Sequence, residues 1–177
     1  MLKKIRKTGN LKASILIANY NNGQYLKECI DSIKKQNYKN TEIIVHDDAS
    51  SDNSIKKLNE YKNIKIIKNK KRGRYGSYNQ MNAFYRAFKK SKGEILFLLD
   101  SDDFFKENKI KFITNFFIKN KKISSLFDLP IYKYKNELKF IKNKKKIISN
   151  YWPYIPPQSC ITIKRDDFII MFKKINF

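Results

Sequence analysis

The stretch Glu94-Ile-Leu-Phe-Leu-Leu-Asp-Ser-Asp-Asp103 decides the fold, because a continuous apolar run leads directly into three carboxylates. Gly93 precedes the run and Asp100 ends it. A short apolar run with such boundaries is typical of a central strand that is buried on both faces. The acidic residues that follow are therefore predicted to lie at the carboxyl end of a buried strand.

The segments around this run alternate between strand and helix patterns. Three further strands are predicted by apolar runs at residues 14–20, 41–46 and 64–67. Apolar residues at helical spacing predict helices that begin near residues 26, 55, 77 and 110. This alternation predicts an α/β fold, a Rossmann-like three-layer sandwich with a mostly parallel central sheet. Open sheets of this kind bind ligands at the carboxyl ends of their strands.

Two polar loops hold six of the 16 acidic residues of this basic chain, namely Asp47, Asp48 and Asp52 in one and Asp100, Asp102 and Asp103 in the other. Packed carboxylates repel one another, so such a cluster requires a cation, strong hydrogen bonds or raised pKa values. Divalent Mg²⁺ and Mn²⁺ bind oxygen ligands and share them with phosphates, so the pattern indicates a nucleotide bound with a metal ion. For Asp52, helix capping before Ser54 stays open as an alternative.

Composition limits the class of protein. With 177 residues, 41% of them hydrophobic, the chain is predicted to fold as one domain and not as a disordered basic tail. Its apolar runs are too short to span a bilayer, and its start lacks a continuous apolar segment, so a cytoplasmic location is expected. The two cysteines, Cys29 and Cys160, are far apart and predict neither a zinc cluster nor a disulfide framework.

The formal net charge of +23 comes from 39 Lys and Arg, of which 34 are Lys. Lysines scattered over the whole chain favour a solvated surface over a specific nucleic-acid reader, which usually concentrates Arg. A field of this sign also attracts anionic lipid, anionic glycan or nucleotide phosphates.

Four blocks of sequence, in order, resemble the family 2 glycosyltransferases. They are Ser14-Ile-Leu-Ile-Ala-Asn-Tyr-Asn21, Ile43-Ile-Val-His-Asp-Asp-Ala-Ser-Ser-Asp52, Gly73-Arg-Tyr-Gly-Ser-Tyr-Asn79 and Lys92-Gly-Glu-Ile-Leu-Phe-Leu-Leu-Asp-Ser-Asp-Asp103. A weaker block, Pro156-Pro-Gln-Ser-Cys-Ile-Thr-Ile-Lys-Arg165, follows them. The resemblance implies a GT-A fold, a nucleotide-diphosphate sugar as donor, with a UDP-sugar favoured, and transfer to an acceptor hydroxyl with inversion. It also implies Mg²⁺ or Mn²⁺ as cofactor.

The resemblance further implies roles for individual residues. The implied nucleotide-sugar contacts are Ala18, Asn19, Tyr20, Asp47, Asp48, Arg74, Asn79, Asp100 and Ser101. Among them, Asp48 would bind the pyrimidine ring, Arg74 would lie near the diphosphate and Asn79 would order its loop. Asp102 and Asp103 would hold the metal ion, and Asp102 is favoured.

The catalytic base is not identified by the sequence. Inverting transfer needs a general base, usually a carboxylate, on the far side of the anomeric carbon. In the family this base lies downstream of the weaker block, where the last carboxylates of this chain are Asp166 and Asp167. Both also precede an apolar helical run, which favours helix capping. We therefore expect a chain shortened on its C-terminal side.

The expected organisation is a basic tail at residues 1–10, a nucleotide-sugar-binding half at 11–120 and part of an acceptor-side half of the same domain at 121–177. The expected function is glycosyl transfer in surface polysaccharide or glycan synthesis, with a glycan or lipid-linked acceptor and contact with an anionic membrane face. Two alternatives remain. One is a nucleotide-sugar-binding protein without catalysis. The other is a basic nucleic-acid-binding protein, suggested by the charge and by the aromatic residues among lysines at 132–140.

Overall fold

A six-stranded sheet with helices on both faces forms the centre of the computed structural model, which describes residues 10–134, 137–140 and 157–174. The strands of the sheet are β1 (Ala13–Asn19), β2 (Thr41–Asp47), β3 (Ile64–Lys68), β4 (Ile95–Asp100), β5 (Ser125–Phe127) and β8 (Ile161–Lys164). A separate hairpin pairs β6 (Ile131–Tyr134) with β7 (Glu137–Phe140). The helices are α1 (Leu26–Lys34), α2 (Ser54–Asn59), α3 (Gly76–Lys90), α4 (Lys109–Lys119) and α5 (Arg165–Lys174).

Four of the six strands pair in parallel, as the alternation of strands and helices predicts. The order across the sheet is β3-β2-β1-β4-β8-β5, and β1 pairs in parallel with both β2 and β4. In this register Asn19 lies opposite Asp47, and Ala18 lies opposite Asp100. The predicted acidic loops therefore meet at one edge of the sheet, which we call the carboxyl edge.

Helices cover both faces of the sheet and bury two apolar layers. On one face, Ile15 and Ile17 of β1 pack with Ile30 of α1 and the buried side of α4. On the other face, Leu16 packs with Phe84 of α3 and with α5. Successive residues of β1 thus point into opposite apolar layers, and Ile15, Leu16 and Ile17 are all completely buried. This explains why the strand sequence is continuously apolar instead of alternating.

Strand β8 is preceded by a short turn and runs against the direction of β4. Residues Gln158–Cys160 form a short 3-10 turn, and β8 then runs antiparallel to β4, with Thr162 opposite Phe97. The 3-10 turn lies beside the carboxyl edge, because the Asp100 amide hydrogen-bonds to Ser159 at 3.0 Å. The end of β8 consequently lies at the opposite edge.

Asp166 and Asp167, the candidate bases from the sequence, begin α5 at that opposite edge. The backbone amide of Arg165 donates to the carbonyl of Glu94, and its Nε donates to the carbonyl of Gly93, at the start of β4. These contacts fix the first turn of α5 at the amino end of the parallel strands. Asp166 and Asp167 therefore lie at the edge of the sheet opposite the carboxyl edge.

The expected basic tail falls outside the described residues up to residue 9, and of the expected acceptor-side half, residues 135–136, 141–156 and 175–177 fall outside them. Within the described ranges, no helix combines the length and apolar character needed to cross a membrane.

Candidate functional site

A cleft of about 340 Å³ opens at the carboxyl edge of the sheet. Seven of the eleven residues predicted to bind nucleotide sugar or metal line it, namely Ala18, Asn19, Tyr20, Asp48, Asn79, Asp100 and Asp102. They come from three parallel strands and from α3, which are far apart in sequence. The sheet register brings them together because the carboxyl ends of parallel strands lie side by side.

Asp47 supports the cleft from below. Its buried carboxylate accepts hydrogen bonds from Asn19 Nδ2 at 2.7 Å and from the Ser50 amide at 3.0 Å. The first bond fixes the Asn19 side chain, and the second closes the loop after β2. Asn19 Oδ1 is buried without a hydrogen-bond partner in the described part of the chain. Because Asn19 lines the cleft, this oxygen is an acceptor that a ligand N–H or hydroxyl can satisfy.

Ala49 lies in the same loop with a backbone φ of 60°. This left-handed conformation brings the Cβ of an L-residue too close to the following carbonyl oxygen and costs roughly 1–2 kcal/mol. Such strain next to a candidate binding residue is characteristic of functional loops.

Relieving the strain at Ala49 should stabilise the protein. We expect Ala49→Gly to raise the free energy of unfolding by about 1 kcal/mol, because glycine adopts this conformation without a steric penalty. Chemical denaturation of both proteins measures the change. Asn59→Gly is the matched control, since Asn59 ends α2 without a positive φ, and this substitution should not stabilise. A loss of stability in Ala49→Gly would contradict the assigned strain.

Asp48 is held from both sides at the floor of the cleft. Its Oδ1 accepts a hydrogen bond from Asn69 Nδ2 at 2.8 Å, and its Oδ2 lies 3.2 Å from Arg72 Nε. The contact with Arg72 is an ion pair and not an aligned hydrogen bond. The Arg72 guanidinium also lies 3.4 Å from the centre of the Tyr20 ring. Asp48, Arg72 and Tyr20 therefore form one layered group.

Arg72 lines the cleft, whereas the predicted Arg74 does not. Arg74 is exposed, and its guanidinium lies 5.7 Å from the ring centre of Tyr75. The loop conformation is fixed by Asn79, whose Nδ2 donates to the carbonyl of Gly73 at 2.8 Å. Arg72 and Arg74 have the same side chain and are separated by a single residue, so the sequence does not show which of them lines the cleft. The path of the loop decides this.

The second acidic loop presents Asp100 and Asp102 to the cleft. Asp100 Oδ1 accepts a hydrogen bond from Gln80 Nε2 at 2.6 Å. The pKa of Asp100 is raised to about 6, mainly by burial and also by the nearby carboxylates of Asp103 and Asp102, while the hydrogen bond from Gln80 acts in the opposite direction. Asp102 is exposed at the same side of the cleft. Asp100 thus lies where a cation would favour its charged form.

Asp103 points away from the cleft. Its Oδ2 accepts a hydrogen bond from Ser159 Oγ at 2.5 Å, and the same Oγ accepts from the Asp100 amide at 3.0 Å. Asp103 lines a separate, more apolar groove together with Lys109 and Asp128. Of the two predicted metal ligands, Asp102 is therefore the one in the cleft, and Asp103 ties the loop to the 3-10 turn.

Ser101 connects the second acidic loop to the end of β1 and the turn that follows it, from a fully buried position. Its Oγ accepts a hydrogen bond from Asn22 Nδ2 at 3.0 Å, and its amide donates to the carbonyl of Ala18 at 3.1 Å. Ser101 does not line the cleft. Its contacts position the neighbouring residues.

Asp52 and His46 have structural positions in β2 and in the loop that follows it. The Asp52 carboxylate accepts hydrogen bonds from the amides of Ser54 and Gly23, which joins the start of α2 to the turn after β1. His46 is buried in β2, and neither ring nitrogen has a hydrogen-bond partner among the described residues. Burial lowers the pKa of His46 below its ordinary value, so this ring is neutral.

A divalent cation fits the acidic side of the cleft. Asp100 and Asp102 supply oxygen ligands, and such ions commonly complete their coordination with phosphate oxygens and water. Across the described ranges, no group of three or more His, Cys, Asp or Glu side chains is arranged to hold a metal ion.

The cleft and its supports contain residues that the sequence did not single out, namely Asn22, Asn69, Arg72, Gln80 and Ser159. Gln80 directly follows the third block, and Ser159 lies within the weaker fifth block. For Gln80 and Ser159, proximity to those blocks is the one signal in the sequence that could have identified them. Their partners are residues from distant strands, which no local pattern reveals.

Comparison with known proteins places this geometry in a family. The family model described as Glycosyl transferase family 2 matches residues 14–169. The UDP-Glc:alpha-D-GlcNAc-diphosphoundecaprenol beta-1,3-glucosyltransferase WfgD of Escherichia coli is 34% identical over 110 residues, which cover 60% of this chain and 41% of WfgD.

Solved structures show the same fold. TarS residues 1–349 of Staphylococcus aureus, in complex with UDP, superpose with a TM-score of 0.70 at 18% identity, covering 92% of this chain and 49% of that chain. The mannosyltransferase PcManGT of Pyrobaculum calidifontis, in complex with GDP-Man and Mn²⁺, gives a TM-score of 0.56 at 18% identity and covers 67% of this chain and 35% of that chain.

These matches span between about a third and a half of the relatives' own lengths. The α/β architecture and its mostly parallel sheet are those of the GT-A glycosyltransferases, as the resemblance implies. The chain belongs to glycosyl transferase family 2.

Proposed function

We propose that this protein binds a UDP-sugar with a divalent metal ion and transfers the sugar, with inversion, to an acceptor hydroxyl in polysaccharide or glycan synthesis. The observation that carries the proposal is the convergence of Asn19, Asp48, Asp100 and Asp102 on one cleft at the carboxyl edge. The UDP complex of TarS supports the choice of nucleotide.

The base would bind at the layered group of Tyr20, Asp48 and Arg72. The Tyr20 ring offers a stacking surface, and the Asp48 carboxylate can accept the N–H of a uracil ring. The Arg72 guanidinium occupies the space over Tyr20, so base binding requires this side chain to move or to join the stack. Once moved, Arg72 is a donor for a uracil carbonyl or for the diphosphate.

The diphosphate and metal ion would bind beside Asp100 and Asp102. When bound, Mg²⁺ or Mn²⁺ stabilises the negative charge that develops on the leaving nucleoside diphosphate. The carboxylate of Asp102 would hold the ion, with Asp100 next to it. The Mn²⁺ complex of PcManGT and the oxygen-rich donor set support this assignment.

The acceptor would be a glycan, either free or linked to a lipid at the cytoplasmic face of a membrane. WfgD, by its name, acts on a diphosphoundecaprenol-linked sugar, which supports the lipid-linked form. The acceptor-side half proposed for residues 121–177 contributes Ser159 and the 3-10 turn beside the acidic loop.

Calorimetric titration of UDP tests the donor site. We expect binding that requires Mn²⁺ and is lost in chelator, with Asp102→Asn and Asp48→Asn each weakening it at least fivefold. Asp102→Asn removes the negative charge of a proposed metal ligand. Asp48→Asn replaces a carboxylate, which only accepts hydrogen bonds, with an amide, which both accepts and donates them.

The matched control is Asp166→Asn, which changes the same chemical group at the opposite edge of the sheet. This variant should bind UDP with the affinity of the unsubstituted protein. Thermal unfolding of all four proteins verifies that each is folded. Absence of UDP binding by the folded, unsubstituted chain with Mn²⁺ present would refute the proposal.

A second function, nucleotide-sugar binding without transfer, is favoured by one observation. In the described residues, the carboxylates that line the cleft are Asp48, Asp100 and Asp102, and all three have roles toward the nucleotide or the metal ion. None of them is left to act as the general base. Metal-dependent UDP binding without transfer or hydrolysis of a UDP-sugar would support this second function.

A further inference from the structure

One long stretch of the chain carries basic residues without any acidic ones. Residues 61–93 contain eleven lysines and arginines and no aspartate or glutamate, in a chain that has 16 acidic residues in all. This part comprises β3, which forms one edge of the sheet, the loop at residues 69–75, and α3, which packs over β1 and β2. We refer to the exposed basic side chains of these three segments as the cationic surface.

Most of these charges are available to a partner. Nine of the eleven side chains are exposed, whereas Arg72 and Arg86 are half-buried and contact Asp48 and Asn69, respectively. Of the nine, Lys65 alone forms an ion pair with a carboxylate in the part of the chain that the structure describes, at 2.9 Å from Glu42.

One portion of this surface borders the cleft and also carries aromatic residues. We call it the basic rim, and it consists of Lys68, Lys70, Lys71, Arg74, Tyr75 and Tyr78. Tyr75 is 65% exposed and Tyr78 is 50% exposed. The rim adjoins the cleft through Arg72, Gly76 and Asn79, which line the cleft and lie within the same loop and helix.

We propose that the basic rim docks the protein on an anionic lipid bilayer and so holds the cleft next to the membrane surface. The inference rests on the proposed function, because a lipid-linked acceptor would be reached most directly from this position. To the proposed function, this inference adds the surface that contacts the membrane, which is the basic rim, and the requirement for anionic lipid.

The composition of the basic rim favours a bilayer over a single phosphate group or an anionic polymer. Three of its four cations are lysines, whose hydrated point charges suit a fluid array of headgroups and lack the fork geometry of an arginine phosphate site. Tyrosines next to lysines are typical of the interface between water and lipid. Each basic side chain near an anionic leaflet strengthens binding about fivefold.

Vesicle sedimentation at physiological salt tests the docking surface. The probes are vesicles of phosphatidylcholine mixed with phosphatidylglycerol and vesicles of phosphatidylcholine alone. The test variant carries Lys68→Gln, Lys70→Gln and Lys71→Gln. The control carries Lys35→Gln, Lys39→Gln and Lys119→Gln, which remove the same charge from exposed positions elsewhere.

We expect the unsubstituted protein to bind only the phosphatidylglycerol vesicles, the test variant to bind them at least tenfold more weakly and the control to change less than threefold. Equal losses in both variants would show attraction by net charge alone and would overturn the proposal. Binding of soluble polyphosphate through the same three lysines, without vesicle binding, would assign the rim to an anionic polymer and would also overturn it.

UDP titration of the same proteins without vesicles separates this inference from the proposed function. The three substituted lysines do not line the cleft, so both variants should keep the UDP affinity of the unsubstituted protein. Failure of vesicle binding with intact UDP binding would reject the docking surface alone. Failure of UDP binding in the unsubstituted protein would reject the proposed donor site.

Discussion

Gly93→Ala should destabilise the protein by about 3 kcal/mol, because the close packing at this position leaves no room for a side chain. A Cβ atom there would lie 2.4 Å from Ser14 Oγ, 2.7 Å from the Ser14 amide nitrogen and 2.8 Å from the Lys12 carbonyl oxygen. One of these atoms belongs to the backbone of the central strand β1 and another to the backbone of Lys12 directly before it, so neither can rotate away. Relief would require β1 and the start of β4 to separate.

Chemical denaturation measures the effect, and Gly76→Ala is the control. Gly76 begins α3, and a Cβ atom at that position would have no other atom within 4 Å. The control should therefore leave the free energy of unfolding unchanged or raise it by about 0.5 kcal/mol. Equal stability of the Gly93→Ala and Gly76→Ala proteins would show that β1 and β4 tolerate the added atom.

Glu42→Gln should destabilise the protein by about 2 kcal/mol at neutral pH. This value allows for solvent screening, because Glu42 is only partly buried. The Glu42 carboxylate accepts hydrogen bonds from Ser14 Oγ at 2.7 Å and from the Lys92 and Gly93 amides at 2.5 and 3.0 Å. It also pairs with Lys65 at 2.9 Å. One side chain thus joins β1, β2, β3 and the segment before β4.

The destabilisation at Glu42 should depend on pH. Burial alone would raise the pKa of Glu42, but the hydrogen bonds from Ser14, Lys92 and Lys65 outweigh it and lower the pKa to about 2 from 4.5. A carboxylate with a lowered pKa in the folded state contributes its full stability above the unfolded value and loses it as pH falls through the folded value. The stability difference between the two proteins should therefore be constant above about pH 5 and shrink between about pH 4.5 and pH 2.

Glu60→Gln supplies the comparison for this pH dependence. Glu60 is exposed after the end of α2, so its substitution should change stability by less than about 0.5 kcal/mol at any pH. Urea denaturation at a series of pH values measures all three proteins. A Glu42→Gln deficit that stays constant down to pH 2 would mean that the carboxylate charge is not the source of the stability.

The parallel half of the fold could be predicted because its signals are local. The apolar runs in β1, β2 and β4 are nearly continuous, and strands of this kind are stable only when helices cover both faces. The same logic predicted that Asn19, Asp48 and Asp100 would meet, since each directly follows or ends a parallel strand. Residues 61–93 could also be seen as strongly basic from the sequence.

The antiparallel part could not be predicted in the same way. An apolar run such as Ile161–Lys164 has the same pattern whether its neighbour runs parallel or antiparallel, because side chains alternate identically in both cases. The direction of β8 was set by its pairing with β4 and β5, far away in sequence. That direction moved Asp166 to the edge opposite the cleft and brought Ser159 next to the acidic loop.

By itself, then, the sequence determined the α/β class, the position of both acidic loops at one edge and the family, because these depend on local hydrophobic periodicity and on short blocks of residues. The tertiary structure alone decided which side chains complete the cleft. Arg72 lines it instead of Arg74, and Asp102 faces it while Asp103 turns to Ser159. The physical reason is that such choices depend on loop paths and on contacts between distant strands, which sequence neighbours do not encode.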